Sequence, residues 1–235
     1  VKKKFWNWVR NEDTGARTLV LNGQISDETW YGDEVTPGLF REELNAGEGD
    51  ITVWINSPGG DVFAAAQIYN MLKEYPGNVE VRIDGMAASA ASVVAMAGDK
   101  VSMSPVAMMM IHNPMTVAMG DQKAFQQAMD MLGEVKESII NAYEMKTELN
   151  RTKISHMMDD ETWFNAKKAV ELGFADDILY TDGEGKQEAP AAVLFGRLTV
   201  VNSFLGKFNI IDKPAEPDNR IEAAPLKKRL YLLSH

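Results

Sequence analysis

An α/β fold with parallel strands is what this sequence predicts, and three observations carry the prediction. The stretches "DITVWINSPGG" (50–60) and "VEVRIDG" (79–85) alternate apolar and polar residues and both end at glycine. Each is followed by a run with helical spacing. Strand, glycine turn and helix repeated in under fifty residues imply parallel strands joined by crossover helices. Finally, 235 residues with 45% hydrophobic and 25% charged side chains have the composition of a globular chain, with room for one sizeable domain and extensions.

Residues 1–16 form an N-terminal segment with a basic cluster, "VKKKFWNWVR", and no signal-peptide-like apolar stretch follows it. The domain is expected to span 17–180. It opens with a strand over "RTLVLNGQI" (17–25). After the second strand, Val62, Ala66, Tyr69 and Leu72 recur at helical spacing, and Asp61 at the helix start complements its dipole. The third strand covers 79–84, with a turn at Gly85 and an alanine-rich helix to about Ala97. "KVSMS" and "VAMMMIHNP" read as short strands. From Asp121 to about Leu149 the positions Phe125, Ala128, Leu132, Val135, Ile139, Ala142 and Leu149 mark an amphipathic helix of roughly 40 Å, long enough to project from the core. A shorter helix near 152–159 and another over "KKAVELG", ending at Gly173, close the domain. Residues 181–235 combine a linker-like stretch, "TDGEGKQEAPAA", with a C-terminal extension of unassigned structure.

Composition narrows the function. The chain has no cysteine, which excludes disulfides, thiolate metal sites and cysteine nucleophiles and fits a reducing compartment. A net charge of −10 argues against nucleic-acid binding, and Lys227, Lys228 and Arg229 are too few to reverse it. No run of eighteen apolar residues occurs, so a soluble cytoplasmic protein is expected, without a membrane partner. No metal is expected, because no pair of histidines has ligand spacing and the acids lack an oxygen-rich loop pattern. No nucleotide-binding loop or other cofactor motif is present either.

The chemistry concentrates in "GMAASAASVVAMAG" (85–98). Small residues at a strand-to-helix junction allow close backbone approach, and the helix start offers unpaired amides suited to an oxyanion. Ser89 lies in the first turn, although the G-x-S-x-G pattern is absent. Taken alone, such a serine is more often a small packing residue, which is the reading given to Ser92. His112, before Asn113 and Pro114, sits where a strand ends, a common place for active-site groups and equally for structural histidines. His156 reads as a helix-face residue and His235 is terminal. Asp159, Asp160 and Glu161 are candidate acids, and as a charge run they could equally cap or solvate.

Taken together, "INSPGGDV", "GMAASAAS", "MMMIHNP" and "ETWFNAKKAVELGFADDI" resemble the Clp peptidase (ClpP) family over about residues 17–180, and most of all its bacteriophage- or prophage-encoded head-maturation branch. The resemblance implies a crotonase-like ββα spiral, with the helix 121–149 as a projecting handle that mediates stacking. It implies a serine endopeptidase in which Ser89 is the nucleophile and His112 the general base. Gly60 and Ala90 would supply the oxyanion-hole amides, and substrate would run as an added strand beside Gly59 and the segment at Asn113 and Pro114. The third triad member of the family is an aspartate. The matching position here holds Glu161, a departure from the pattern, and Asp160 is the rival acid. Partners implied are protein or peptide substrates, other copies in stacked rings, typically heptameric and so a tetradecamer, and a separate AAA+ unfoldase. A phage-encoded enzyme would act in the host cytoplasm or the prohead, on capsid or scaffold proteins. Competing readings are a decayed ring or scaffold subunit, and an acyl-CoA hydratase or isomerase on the same fold, which would not need Ser89 and His112 together.

Overall fold

The structure, a computed structural model, describes residues 5–10, 16–26 and 37–180. The linker and extension at 181–235, and with them His235 and the basic residues near the C-terminus, lie outside the described residues. An eight-stranded mixed sheet organises the domain. Strands β1 (Trp6–Arg10), β2 (Arg17–Asn22), β3 (Ile51–Ser57), β4 (Val79–Ala88), β5 (Lys100–Met103) and β8 (Asp177–Ile178) lie side by side in that order. All neighbours are parallel except β1 and β2. The parallel pairs β2–β3 and β3–β4 are the ones the alternating stretches imply, and α2 (Val62–Lys73) is the crossover between β3 and β4. Its N-cap Asp61 accepts the Ala64 amide at 2.7 Å, a specific bond in addition to the favourable dipole.

The decisive irregularity lies in β4. Ile55 pairs with Ile83 and Ser57 with Ala87, so two steps along β3 correspond to four along β4. This bulge bends the strand. Before it, Glu80–Ile83 pair with β5; beyond it, Met86–Ala88 pair with β6 (Met108–Ile111). Gly85 therefore does not end the strand, as the sequence suggests, but lies within it at the bulge. A Cβ there would come within 2.6 Å of the Asn56 side-chain oxygen, so any larger residue would make the Asn56 side chain give way. The helix that follows, α3 (Ala90–Ala95), is correspondingly short and entirely buried.

Two elements that sequence patterning did not identify complete the edge of the sheet. In β1, Trp6 is buried and packs edge-on against Phe40 of α1 (Pro37–Asn45), with ring centroids 5.3 Å apart. Arg17 of β2 donates to the carbonyls of Glu43, Leu44 and Gly47, capping the C-terminal end of α1.

The long helix α4 (Gln122–Thr147) is capped by Asp121, whose side chain accepts the Ala124 amide. Burial along it is graded. Ile139, Ile140, Ala142 and Tyr143 are buried in the core, whereas Phe125 and Met129 near its start are exposed. α5 (Arg151–Asp159) leads to β7 (Thr162–Asn165), which pairs antiparallel with β6, and α6 (Ala166–Glu171) follows it. Among the described residues no helix is long and apolar enough to cross a membrane.

Candidate active site

The "SPGG" loop leaves β3 through a set of backbone constraints. Ser57 Oγ donates to the Gly23 carbonyl at 2.6 Å and accepts the Gly59 amide at 3.1 Å. Ile25 donates to the Gly59 carbonyl and accepts from the Asp61 amide, both at 2.9 Å. These two bonds make Gly60, at φ +147°, the parallel bridge partner of Ile25. Gly59, at φ +92°, lies so close to the end of β4 that a Cβ would sit 2.6 Å from the Ala88 carbonyl and 2.8 Å from the Ala90 nitrogen. No residue with a side chain could bring the two segments this near.

Ser89 stands between β4 and α3 at φ 54°, ψ −128°, a conformation that glycine adopts readily and L-residues rarely. Its amide donates to the Met110 carbonyl at 2.9 Å, continuing the β4–β6 ladder by one residue. Its carbonyl accepts from the Ser92 amide at 2.9 Å and from Ser92 Oγ at 2.6 Å. Bonds on both sides hold the strained residue in place. Ser92, read from sequence as a packing residue, is therefore a polar link. Its Oγ also lies 2.8 Å from the Tyr143 hydroxyl of α4, a contact that no local pattern signals.

The ladder also positions the histidine. Ala88 pairs with Met110, so β6 carries His112 just past the point where β4 turns at Ser89. His112 Nε2 is 2.7 Å from Ser89 Oγ. Burial pushes the imidazole pKa below its ordinary value, and the charge of Glu161 partly opposes the shift. The shift favours the neutral ring, the form able to accept a proton.

The acids separate by their partners. The antiparallel β6–β7 ladder ends at Ile111 and Thr162, just before His112 and just after Glu161, and the Glu161 charge acts on the ring. Glu161 adopts a left-handed φ of 47°, and its carboxylate accepts the Trp163 indole N–H at 3.1 Å. Among the described residues no hydrogen bond joins Glu161 to His112, so its influence on the ring is coulombic. Asp160 serves as the C-cap residue of α5 through its backbone amide. Asp159 accepts from Asn113 Nδ2 at 2.8 Å and from Lys136 Nζ at 2.6 Å, and these bonds hold its pKa below the usual carboxylate range. Asn113 thus braces α5 with its side chain. From there to Met119 the chain, Pro114 included, has no strand partner among the described residues. His156 is exposed on α5. Among the described residues no group of histidines and acids could hold a metal ion.

A part-buried serine–imidazole contact, the Ala90 amide and the glycine loop beside it, and a carboxylate whose charge reaches the imidazole can together perform acyl transfer. Comparison with known proteins points the same way. The family model described as Clp protease matches residues 2–182. The chain is 31% identical over 173 residues to an "ATP-dependent Clp protease proteolytic subunit" of Bacteroides fragilis, covering 69% of this chain and 79% of that protein. It is 30% identical over 165 residues to "ATP-dependent Clp protease proteolytic subunit 2" of Thermobifida fusca, covering 69% and 80%.

Proposed function

The chain belongs to the Clp protease family, and from that premise we propose that it is a serine endopeptidase whose nucleophile is Ser89 and whose general base is His112. The observation that carries this reading is the 2.7 Å contact between Ser89 Oγ and His112 Nε2, set at the junction of the bent β4 and β6. The fold is the ClpP-like α/β arrangement with α4 as the projecting helix.

His112 takes the Ser89 proton at Nε2, which requires the tautomer with the proton on Nδ1. Ser89 Oγ then attacks the peptide carbonyl. The Gly60 and Ala90 amides hold the developing oxyanion. Protonated His112 gives its proton to the leaving amine, and water cleaves the acyl-enzyme by the reverse sequence. Glu161 stabilises the transient imidazolium through its charge; its departure from aspartate is compatible with that role because no direct bond to the ring is needed for a coulombic effect. Substrate lies extended against Gly59 and the unpaired segment after His112, where main-chain pairing recognises polypeptide with little sequence preference.

The exposed apolar residues at the start of α4, among them Phe125 and Met129, support assembly into stacked rings, with a second copy covering the stripe. The likeness of the motifs to the phage-encoded branch favours capsid or scaffold proteins as substrates. The names of the relatives favour a second role, as the proteolytic subunit served by a separate ATP-driven unfoldase. A fluorophosphonate probe tests the chemistry: wild type labels on Ser89, while Ser89→Ala and His112→Ala do not. Labelling that survives Ser89→Ala overturns the assignment. Native mass spectrometry tests assembly, and digestion of capsid, scaffold and unfolded model proteins separates the two roles.

A further inference from the structure

The proposed oxyanion donor on Ala90 belongs to the same peptide unit as the Ser89 carbonyl. A trans peptide is planar, so the direction of its C=O sets the direction of its N–H, and among the described residues no peptide bond is cis. Whatever grips the Ser89 oxygen therefore aims the Ala90 amide. Two bonds grip that oxygen, from the Ser92 amide at 2.9 Å and from Ser92 Oγ at 2.6 Å, and the second is the shorter and the one a side-chain substitution removes.

The proton order of the contact follows from chemistry. A carbonyl oxygen only accepts, so the single Ser92 hydroxyl proton points at the Ser89 oxygen. Tyr143, 2.8 Å from Ser92 Oγ, must then be a donor to it. Both side chains are buried, at 0% and 1% exposure. The Tyr143 ring is fixed in turn by an edge-on contact with Phe174, centroids 5.5 Å apart. Tyr143 sits in the buried part of α4, the helix whose opposite end is exposed.

We propose that Tyr143 and Ser92 are positioning residues for the peptidase reaction: a directed chain, Tyr143 O–H to Ser92 O–H to the Ser89 carbonyl, orients and polarises the Ala90 N–H toward the oxyanion and ties the catalytic turn to the buried end of α4. Hydrogen bonds in a chain strengthen one another in a medium of low dielectric. A bond to the carbonyl draws electron density from the peptide nitrogen and makes its N–H a better donor. The effect belongs to the tetrahedral state, since only there does the substrate oxygen carry the charge the amide meets. The inference rests on the serine-peptidase reading above.

The test uses the full chain with a chromogenic peptide substrate, a peptide boronate that forms a tetrahedral adduct, and the product peptide as a ground-state ligand. Because a full oxyanion donor contributes about 100-fold or more, weakening one should lower kcat for Ser92→Ala by about tenfold, leaving KM within about twofold. Boronate affinity falls by the same factor and product affinity does not move. Tyr143→Phe, which removes one oxygen and keeps the ring, gives about a threefold loss with the same pattern and adds nothing in the Ser92→Ala background, where the chain is already cut. Wild-type kcat in a folded Ser92→Ala, or a fall in kcat without a matching loss of boronate affinity, overturns the relay. If Ser92→Ala fails to fold, wild-type kcat in Tyr143→Phe overturns it equally. An inert, unlabelled wild type overturns the peptidase reading and the relay together; an active wild type matched by both variants overturns the relay alone.

Discussion

Gly59 and Gly23 have nearly the same φ, +92° and +93°, and opposite surroundings. Alanine at either position must adopt a φ that L-residues avoid, a strain of about 1–3 kcal/mol. At Gly23 nothing lies within 4 Å of the added methyl. At Gly59 the methyl would meet the Ala88 oxygen at 2.6 Å, and the Ala90 nitrogen and Ser89 Cβ at 2.8 Å. Two of these are backbone atoms that cannot rotate aside, so the catalytic turn must retreat. Overpacking of this kind adds about 1–3 kcal/mol. Gly23→Ala should therefore lose about 1–3 kcal/mol of stability and Gly59→Ala about 2–6. The functional contrast is sharper, because the displaced atom is the amide proposed to hold the oxyanion: kcat/KM falls about 100-fold in Gly59→Ala and stays within about twofold in Gly23→Ala. Urea unfolding midpoints and hydrolysis of a chromogenic peptide measure both effects. Equal stability and equal activity for the two variants would refute the close approach of the glycine loop to the Ser89 turn as the reason for glycine at 59.

Replacing Glu161 by Gln removes the charge that raises the His112 pKa against burial. The acidic limb of kcat/KM, set by protonation of the free base, should move to lower pH while the maximal rate falls; a limb that moves upward contradicts the coulombic role. Ser89→Gly and Ser89→Ala both abolish hydrolysis, but glycine relieves the φ of 54° that alanine retains, so chemical denaturation should find the glycine variant more stable by about 1–2 kcal/mol. Asp61→Ala removes the bond to the Ala64 amide and should lower stability by about 1 kcal/mol in the same assay, with boronate affinity unchanged.

Much of the scaffold is legible without coordinates because its signals are local. The alternation in "ITVWINS" reports a strand whose alternate residues face the core, and the spacing of Phe125 through Ala142 reports a helix with one apolar stripe. β1 and β8 escape such reading. β1 exists because "WNWVR" finds β2, Trp6 opposite Leu21, and its indole finds Phe40; β8 is two residues long and is defined by its pairing with β5. Gly85 is misread for the same reason. Glycine signals a turn locally, whereas here a bulge bends a continuous strand so that its second half meets β6 rather than β5.

By itself the sequence determined which side chains were available for chemistry: Ser89 at a small-residue junction, His112 at a strand end, the paired glycines after β3, and three successive acids. Which of them meet was decided by register. The β4–β6 ladder brings Ser89 to His112, and of the acids Glu161 acts on the ring through its charge while Asp159 engages Asn113 and Lys136. Ser92 and Tyr143, fifty-one residues apart, become partners only when α4 packs beneath the turn. Periodicity and capping depend on neighbours a few residues away, but a hydrogen bond across the fold depends on how every intervening element is paired and packed, and that information exists only in the tertiary structure.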